Sequence, residues 1–554
     1  MVDTVVSLPN QTGLFRANPS DKTILGAIDI GTNSIHMVIV EIDPLLATFT
    51  IVAKEKDTVR LGESDRQTGK LTPEAISRAL GALQRCLALS ESFNVHHLFA
   101  VATSAVREAP NGLAFLKQID DELGLQVNLI SGQEEARRIY LGVLSGMEFD
   151  RHPHIVIDIG GGSTELILAD RQEARFLSST KVGAVRLARS FVSSDPIEPS
   201  ELTYLHAYVR GMLERPVGNI RARLAEGEQA KMVGTSGTIE TLAILLAREA
   251  GETEPNPLTG YQVSLAALDE LTERLARMTY EERLQVDGLA EKRAEIIVPG
   301  AIVLVEAMKM LEIEAIVLCE RALREGTIVD WMLQQGLIAN PFRYQSEVRD
   351  RNVRKLARKY QVDIEHGERT ANFALSLFDQ LQGKLHFWTE TERGLLWAAA
   401  MLHNSGLYIS HSAHHKHSYY LIRNGELLGY TEIELEIIAN IARYHRKSKP
   451  KKKHANYQNL TDKRDRQIVN QLSAIVRLAI ALDRRQIGAV AKVESQYYSD
   501  RQRLELHLTP AFLGDGCELE LWNLDYKKEV FEEEFGVTVA AFLNKESTHS
   551  TFSR

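Results

Sequence analysis

A chain of 554 residues that is 44% hydrophobic and 25% charged, with 36 Gly and 15 Pro, has the composition of an ordinary globular protein of three or four domains. Collagen-like, mostly disordered and disulfide-scaffold classes are excluded. The net charge of −9 hides an asymmetry: residues 1–320 carry 31 Lys+Arg against 45 Asp+Glu, whereas 321–513 carry 30 against 20. The second balance suits a surface that meets a polyanion, with a solvated helical surface as the alternative.

Met1 to Lys22 is polar, contains Pro9 and Pro19, lacks the basic start and apolar core of a signal peptide, and reads as a loose tail. From Thr23 to about Glu320, apolar runs alternate with amphipathic stretches. Strands are predicted at Ile24–Asp29, His36–Glu41, Leu98–Thr103, Gln126–Ser131, Ile155–Asp158, Glu165–Ala169, Lys231–Thr235 and Ala315–Leu318. Helices are predicted at Pro73–Phe93, Gly112–Gly124, Gln133–Leu144 and Thr238–Ala250, which makes this region α/β. The apolar stretch Ile296–Val305 is broken by Pro299 and Gly300 and is far shorter than the roughly 18 residues of a membrane span. From Arg321 the pattern turns helical, at Asp350–Tyr360, Glu365–Gln382, Glu390–Leu402, Thr431–Tyr444 and Ile468–Leu482. After Gln486, period-two alternation returns in Val490–Tyr498, Arg503–Thr509 and Glu518–Leu521, and Phe residues space the segment Val530–Leu543, so a small α+β unit closes the chain. Cys86, Cys319 and Cys517 are far apart, odd in number and form no CxxC, which points to a reducing compartment, the cytoplasm, and away from a thiolate metal site.

One internal echo carries the chemistry. Ile28-Asp29-Ile30-Gly31-Thr32-Asn33-Ser34 is repeated as Ile157-Asp158-Ile159-Gly160-Gly161-Gly162-Ser163-Thr164-Glu165, each between two strand-like runs. A strand that ends in Asp, turns through Gly and resumes as a strand aims backbone N–H groups into one concavity, and glycine leaves room for an anion. Ser34, Ser163 and Thr164 add hydroxyl donors. Gly234-Thr235-Ser236-Gly237-Thr238 closes a strand and opens a helix, where unpaired N–H groups favour an anion. Neither a Walker GxxxxGK[ST] nor a Rossmann strand-to-helix glycine turn is present. Three such turns suit one phosphate-bearing ligand. Asp158 and Glu165, on opposite arms of their hairpin, can hold a hard cation, for which Mg²⁺ or another divalent ion is the natural choice.

On these motifs, with Thr103–Arg107, Ser131–Arg137 and Arg321–Gly326, the chain resembles the exopolyphosphatase and guanosine pentaphosphatase family, within the actin, Hsp70 and sugar-kinase superfamily. Ala398–Leu407, His411–Tyr420 and Tyr444–Lys447 extend the likeness into the helical region. The resemblance implies two duplicated actin-like (ribonuclease H-like) domains, 23–145 and 146–320, after the tail 1–22. An all-α HD-like domain, 321–486, and a small α+β domain, 487–554, follow. It implies Glu135 as the base that deprotonates water, Arg107 as a phosphate contact, and magnesium at Asp158 and Glu165. The phosphate-binding set is then Gly31, Thr32, Asn33, Ser34, Gly160, Gly161, Gly162, Ser163, Thr164, Gly234, Thr235, Ser236 and Gly237. A cytoplasmic homodimer, with no nucleic-acid or membrane partner, is also implied.

In the helical region His366, His403-Asn404 and Asp483 follow the order of a histidine-aspartate phosphohydrolase site with Asn404 where an Asp belongs, so the resemblance implies a decayed metal site. His403, His411, His414, His415 and His417 are expected to form an imidazole-rich polar surface. Arg446, Lys447, Lys449, Lys451, Lys452 and Lys453 put six fixed cations in eight residues, a density that a polyanion or bulk water satisfies, and Arg349–Lys359 adds a second basic run. Nearby aromatics are too few for base stacking, so inorganic polyphosphate fits better than nucleic acid. The leading expectation is an exopolyphosphatase, with guanosine pentaphosphate hydrolysis as its same-class alternative. A sugar- or acetate-kinase-like phosphotransferase and a non-catalytic alarmone sensor are the alternatives of other classes.

Overall fold

The computed structural model describes residues 23–338 and 348–544 apart from positions 66, 172, 253 and 426, so the expected tail 1–22 lies outside the described residues. The chain divides into two units between Val348 and Arg349. No helix among the described residues is long and apolar enough to cross a membrane.

The first unit is built on two sheets. One holds β1 (Thr23–Ile30), β2 (Ile35–Asp43), β3 (Thr48–Asp57), β4 (His97–Ala102) and β5 (Val127–Leu129) in the order β3-β2-β1-β4-β5. The other holds β6 (His154–Ile159), β7 (Thr164–Ala169), β8 (Ala174–Thr180), β9 (Lys231–Thr235), β10 (Gln262–Ser264) and β11 (Ala315–Leu318) in the order β10-β11-β9-β6-β7-β8. Apart from β10, the strand order of the first sheet recurs in the second. In both, the first strand pairs antiparallel with the second and parallel with the fourth. β6 and β7 are buried along their whole length, which explains their unbroken apolar runs. The edge strand β3 alternates half-buried and exposed residues through Lys54-Glu55-Lys56-Asp57, and its charge hides it from hydropathy reading.

Three long helices were not anticipated: Pro199–Arg221, Leu265–Arg277 and Ile297–Leu311. In the last, Pro299 and Gly300 do not interrupt the apolar run as expected. Pro299 sits in the first turn, where its missing N–H leaves no helical bond unmade.

Helix Leu323–Gln334 also corrects the expected boundary at Arg321. It packs against helix Gly132–Gly146 within the first unit, and both helices insert between the two sheets to complete a core that includes Val38, Ile139, Val156 and Val329. The approach is so close that a Cβ at Gly326 would stand 1.7 Å from the Arg138 carbonyl oxygen, and one at Gly142 1.9 Å from that of Ala322. The helical regime read from sequence therefore begins one helix later.

The second unit contains helices Ile364–Leu381, Glu390–Leu402, His414–Arg423, Glu432–Arg443 and Lys463–Leu482. They are followed by a sheet of β12 (Val490–Tyr498), β13 (Arg503–Pro510) and β14 (Thr538–Leu543), in that order. Helices and sheet share one core, in which Val490, Leu504 and Leu506 join Phe378 and Leu482, so residues 487–544 are not a separate body as expected. Glu518–Leu521 is a helical turn, part of Glu518–Lys527, and not a strand. Its Glu520 is fully buried and receives the Arg485 guanidinium at 3.1 Å, an anchor that period-two reading cannot see.

Replacing Gly326 by Ala is expected to destabilise the first unit by about 3 kcal/mol or more, because the methyl group meets rigid helix backbone. Urea denaturation measures it, and a loss below about 0.5 kcal/mol would show that the two helices can separate freely.

Candidate active site

The two glycine hairpins have the same construction. Gly31 N–H donates to the Ser34 carbonyl at 3.1 Å and Gly160 N–H to that of Ser163 at 2.9 Å. The strand pairing then sets Asp29 opposite His36 and Asp158 opposite Glu165, each pair on one face of its sheet. The hairpins touch: a Cβ at Gly161 would lie 2.9 Å from Thr32 Cβ, and one at Gly162 2.4 Å from Ser104 Oγ. Glycine is thus required here for the approach of one hairpin to the other, more than for an incoming anion. The third turn is made as expected, β9 ending at Thr235 and a helix running Gly237–Glu249. Between them Ser236 is held at φ 94°, with its hydroxyl buried and without a hydrogen-bond partner.

These turns converge on a cavity of about 250 Å³. Of the predicted residues, Gly31, Thr32, Asn33, Ser34, Gly160, Gly161, Ser163, Thr235, Ser236, Gly237, Glu135, Asp158 and Glu165 line it. Gly162, Thr164 and Gly234 do not. Gly162 faces Thr32 and Ser104, the Thr164 hydroxyl donates to the Val182 carbonyl, and Gly234 leaves space for Ile239 and Ile316 inside the sheet. Arg107 lies outside the cavity lining and reaches Glu135 from behind, Nη1 to Oε2 at 3.2 Å, while also donating to the Ile130 carbonyl at 2.8 Å.

The adjacent acids Glu134 and Glu135 have opposite surroundings. Glu134 accepts from Arg137 at 2.8 Å and Arg138 at 2.7 Å, and these hydrogen bonds hold it down at about 2. Glu135 is buried, and desolvation, opposed by Arg107 and reinforced by Asp29, pushes it up to about 8. Of these two neighbours, Glu135 is the one that can exchange a proton near neutrality. Burial likewise raises Asp158 to about 7, with Asp29 and Glu240 adding to it, and Asp29 to about 6, where Arg324 opposes it. Glu165 is raised well above the usual range by burial and by Glu135, although Ser179 donates to it at 2.6 Å.

Sequence reading missed the far wall of the cavity, formed by Lys56, Glu240, Arg293 and Arg324. Burial, reinforced by the cations Arg324, Lys56 and Arg293, keeps His36 neutral, near 2, while its Nε2 meets Ser34 Oγ at 2.7 Å. Asp29 could have been found, since it holds in the first hairpin the position of Asp158 in the second. Arg293 and Glu240 carried no signal, because they come from separate helical segments.

The model of the Ppx/GppA phosphatase family matches residues 38–335, and that of Ppx/GppA phosphatase, domain III, matches 348–528. The chain belongs to the Ppx/GppA phosphatase family. It is 31% identical over 418 residues to a guanosine-5'-triphosphate,3'-diphosphate pyrophosphatase of Aeromonas hydrophila, covering 75% of this chain and 79% of that one. The Vibrio vulnificus protein of the same name is 31% identical over 429 residues, covering 76% and 80%. The crystal structure of an exopolyphosphatase from Cytophaga hutchinsonii aligns with a TM-score of 0.53 and 29% identity over 57% of this chain and all of that one. The protein is therefore a phosphatase acting on phosphoanhydride bonds, with the mixed α/β actin-like fold of this family in its N-terminal region and a helical domain after it.

The raised carboxyls make a signed prediction. A carboxyl whose folded pKa exceeds its unfolded value favours folding below the unfolded value and loses that contribution as pH rises through the folded one. With Asp158 near 7 against an ordinary 3.8, Asp158→Asn should gain stability relative to the parent on going from pH 5 to pH 8 in EDTA, by roughly 2 kcal/mol. Denaturation of both proteins at both pH values measures the difference. An equal difference at the two would mean that Asp158 is charged at both.

Proposed function

We propose that the first unit removes the terminal phosphoryl group of a phosphate chain, inorganic polyphosphate above all, by attack of water activated at Glu135. The observation that carries this reading is the pairing of one buried, proton-exchanging glutamate with three anion-receiving turns in a single cavity. Backbone N–H groups of the turns bind phosphoryl oxygens, Glu135 Oε takes the proton of the attacking water, and Arg107 fixes the orientation of Glu135. A volume of about 250 Å³ suits a phosphate tail better than it suits a whole nucleotide. Lys56, Arg293 and Arg324, on the wall beside His36, offer charge for the phosphates behind the scissile bond.

The carboxylates fit a magnesium ion. Asp158 and Glu165 face each other across their hairpin, and Asp29 Oδ1 is buried without a hydrogen-bond partner. Among the described residues no three His, Cys, Asp or Glu groups stand together at ligand spacing. Mg²⁺ does not need three, because it takes one or two carboxylates and fills its shell with water and phosphate oxygens. Bound at Asp158 and Glu165 it would neutralise charge on the phosphoryl oxygens. In the same reading the sheets with a common strand order are duplicated actin-like domains, and the helical unit is HD-like.

A second substrate is favoured by one specific observation: the sequence relatives are named for guanosine pentaphosphate, which presents the same terminal phosphoanhydride. Phosphate release from long-chain polyphosphate and from guanosine pentaphosphate, at equal enzyme, ranks the two. A kcat/KM for polyphosphate far below that for the nucleotide would overturn the preference.

Glu135→Gln keeps the shape of the site and removes the proton acceptor, so kcat should fall by about 10² or more. Steady-state kinetics tests it, and near-parental turnover would exclude Glu135 as the base. Neutralising Lys447, Lys449, Lys451, Lys452 and Lys453 together should raise KM for long polyphosphate several-fold and flatten its salt dependence, while leaving the short nucleotide substrate unaffected. An equal change for both substrates, or none, would assign the run to solubility or folding.

A further inference from the structure

Five carbonyl groups of the two glycine hairpins are held by hydrogen bonds that lead back to one helix, Ala184–Phe191. In the second hairpin the contact is direct. The Gly160 carbonyl accepts from Ala184 N–H at 3.0 Å, that of Gly161 accepts from Val185 and Arg186 N–H at 3.0 Å each, and that of Gly162 accepts from Arg186 Nε at 2.8 Å. In the first hairpin the contact runs through the loop of residues 60–64. The carbonyls of Thr32 and Asn33 accept from Gly62 and Arg60 N–H at 2.8 Å each, and Arg189 of the same helix donates to the Gly62 carbonyl through Nη1 and to that of Ser64 through Nη2 at 2.7 Å. The packing leaves no slack: a Cβ at Gly183 would stand 2.4 Å from the Gly161 carbonyl oxygen, and one at Gly62 would stand 2.6 Å from Thr32 Cγ2 and 3.2 Å from Val185 Cγ1.

A trans peptide is planar, so a carbonyl fixed on one side turns the N–H of the next residue to the other. Asn33, Ser34, Gly161 and Ser163 follow four of these carbonyls; all four line the cavity, and their N–H groups donate to no other described residue. Three consecutive glycines have little preference of their own between the two orientations of a peptide, so the orientation must come from outside the turn. A released carbonyl that swung toward the ligand would set its negative end against phosphoryl oxygens in place of an N–H. Arg186 and Arg189 do not line the cavity, so they act through the turns and not on the ligand. Arg186 Nη2 also donates to Glu108 at 2.9 Å, which ties the second hairpin to the helix Ser104–Glu108 that carries Arg107.

We propose that Arg186 and Arg189 are positioning residues for phosphoryl binding: from one helix they hold both hairpins with their N–H groups toward the ligand, so that the two turns act as a single cradle. The assignment rests on the reading of the turns as phosphoryl-binding elements.

Steady-state phosphate release from polyphosphate by the full chain, with inorganic phosphate as product inhibitor, tests it. Arg186→Ala and Arg189→Ala should each raise KM and the inhibition constant of phosphate by about ten-fold or more, with a smaller fall in kcat. Arg186→Lys and Arg189→Lys, which can hold one of the two oxygens but lack the fork for both, should fall between these and the parent. A merely structural role would lower the folded fraction, and with it the apparent kcat, at unchanged KM; that result would overturn the assignment. Should the arginine variants leave both constants unchanged, Ser34→Ala and Ser163→Ala, on the hairpins themselves, tell why. Raised constants there would mean that the turns bind phosphate without the arginines, and unchanged ones that the turns do not bind phosphate, so that the underlying reading falls as well. Where an alanine variant does not fold, its lysine counterpart decides: a raised KM at the parental thermal midpoint supports the assignment and a parental KM overturns it.

Discussion

Four carboxyl groups, Asp29, Glu135, Asp158 and Glu165, are withdrawn from water around one cavity, and desolvation raises all four. Such a cluster works against folding, since at neutral pH each ionised member lacks the hydration it has in the unfolded chain. The rest of the first unit makes it tolerable. Both central hairpins are clamped by strands buried on both faces, the helices Gly132–Gly146 and Leu323–Gln334 lock at glycine contacts, and Arg107 and Arg324 stand at the rim of the acids. What is unfavourable without ligand becomes the driving force for taking one. A site with raised carboxyls and outward N–H groups gains most from a species that brings a cation and phosphate oxygens together.

The parts of this unit legible in sequence were those repeated in sequence. The Asp-x-Gly echo predicted two hairpins, and the structure gives them the same closing hydrogen bond and the same cross-strand register. Strands buried on both faces announced themselves as apolar runs. What stayed hidden was determined by partners far along the chain. β3 and β8 are edge strands whose outward residues dilute the signal, and Glu518–Leu521 alternates like a strand although Arg485 and a shared core hold it as helix. The boundary at Arg321 failed for the same reason, because a helix that docks on Gly142 looks locally like any other.

Site residues divide in the same way. Glu135 could be chosen over Glu134 from sequence only by resemblance. The structure supplies the physical difference, two guanidinium partners on one and burial on the other. Arg293, Glu240 and Lys56 belong to elements that no local pattern links, yet they close the cavity wall. The buried histidines mark the opposite error. Their clustering in sequence suggested solvent, because spacing alone cannot tell that His403, His414 and His415 point into a helical core.

The basic run Arg446–Lys453 shows how a charge cluster can be presented instead of merely solvated. Its backbone is held from both sides: Arg477, buried, donates to the carbonyls of Lys447 and Ser448 at 3.0 Å, His454 N–H donates to the Lys451 carbonyl at 2.9 Å, and Gln458 donates to that of Lys452 at 3.1 Å. The Tyr444 hydroxyl meets His454 Nδ1 at 2.9 Å and closes the base of the loop. A free loop would spread its lysines to lower their mutual repulsion, whereas these bonds fix the spacing and leave the side chains exposed. Among the described residues Lys449 is the lysine of this run with an ion-pair partner, Glu533, in a solvent-exposed contact that water and salt screen. A polyanion can displace such a partner at little cost, so the run's positive charge stays available to one.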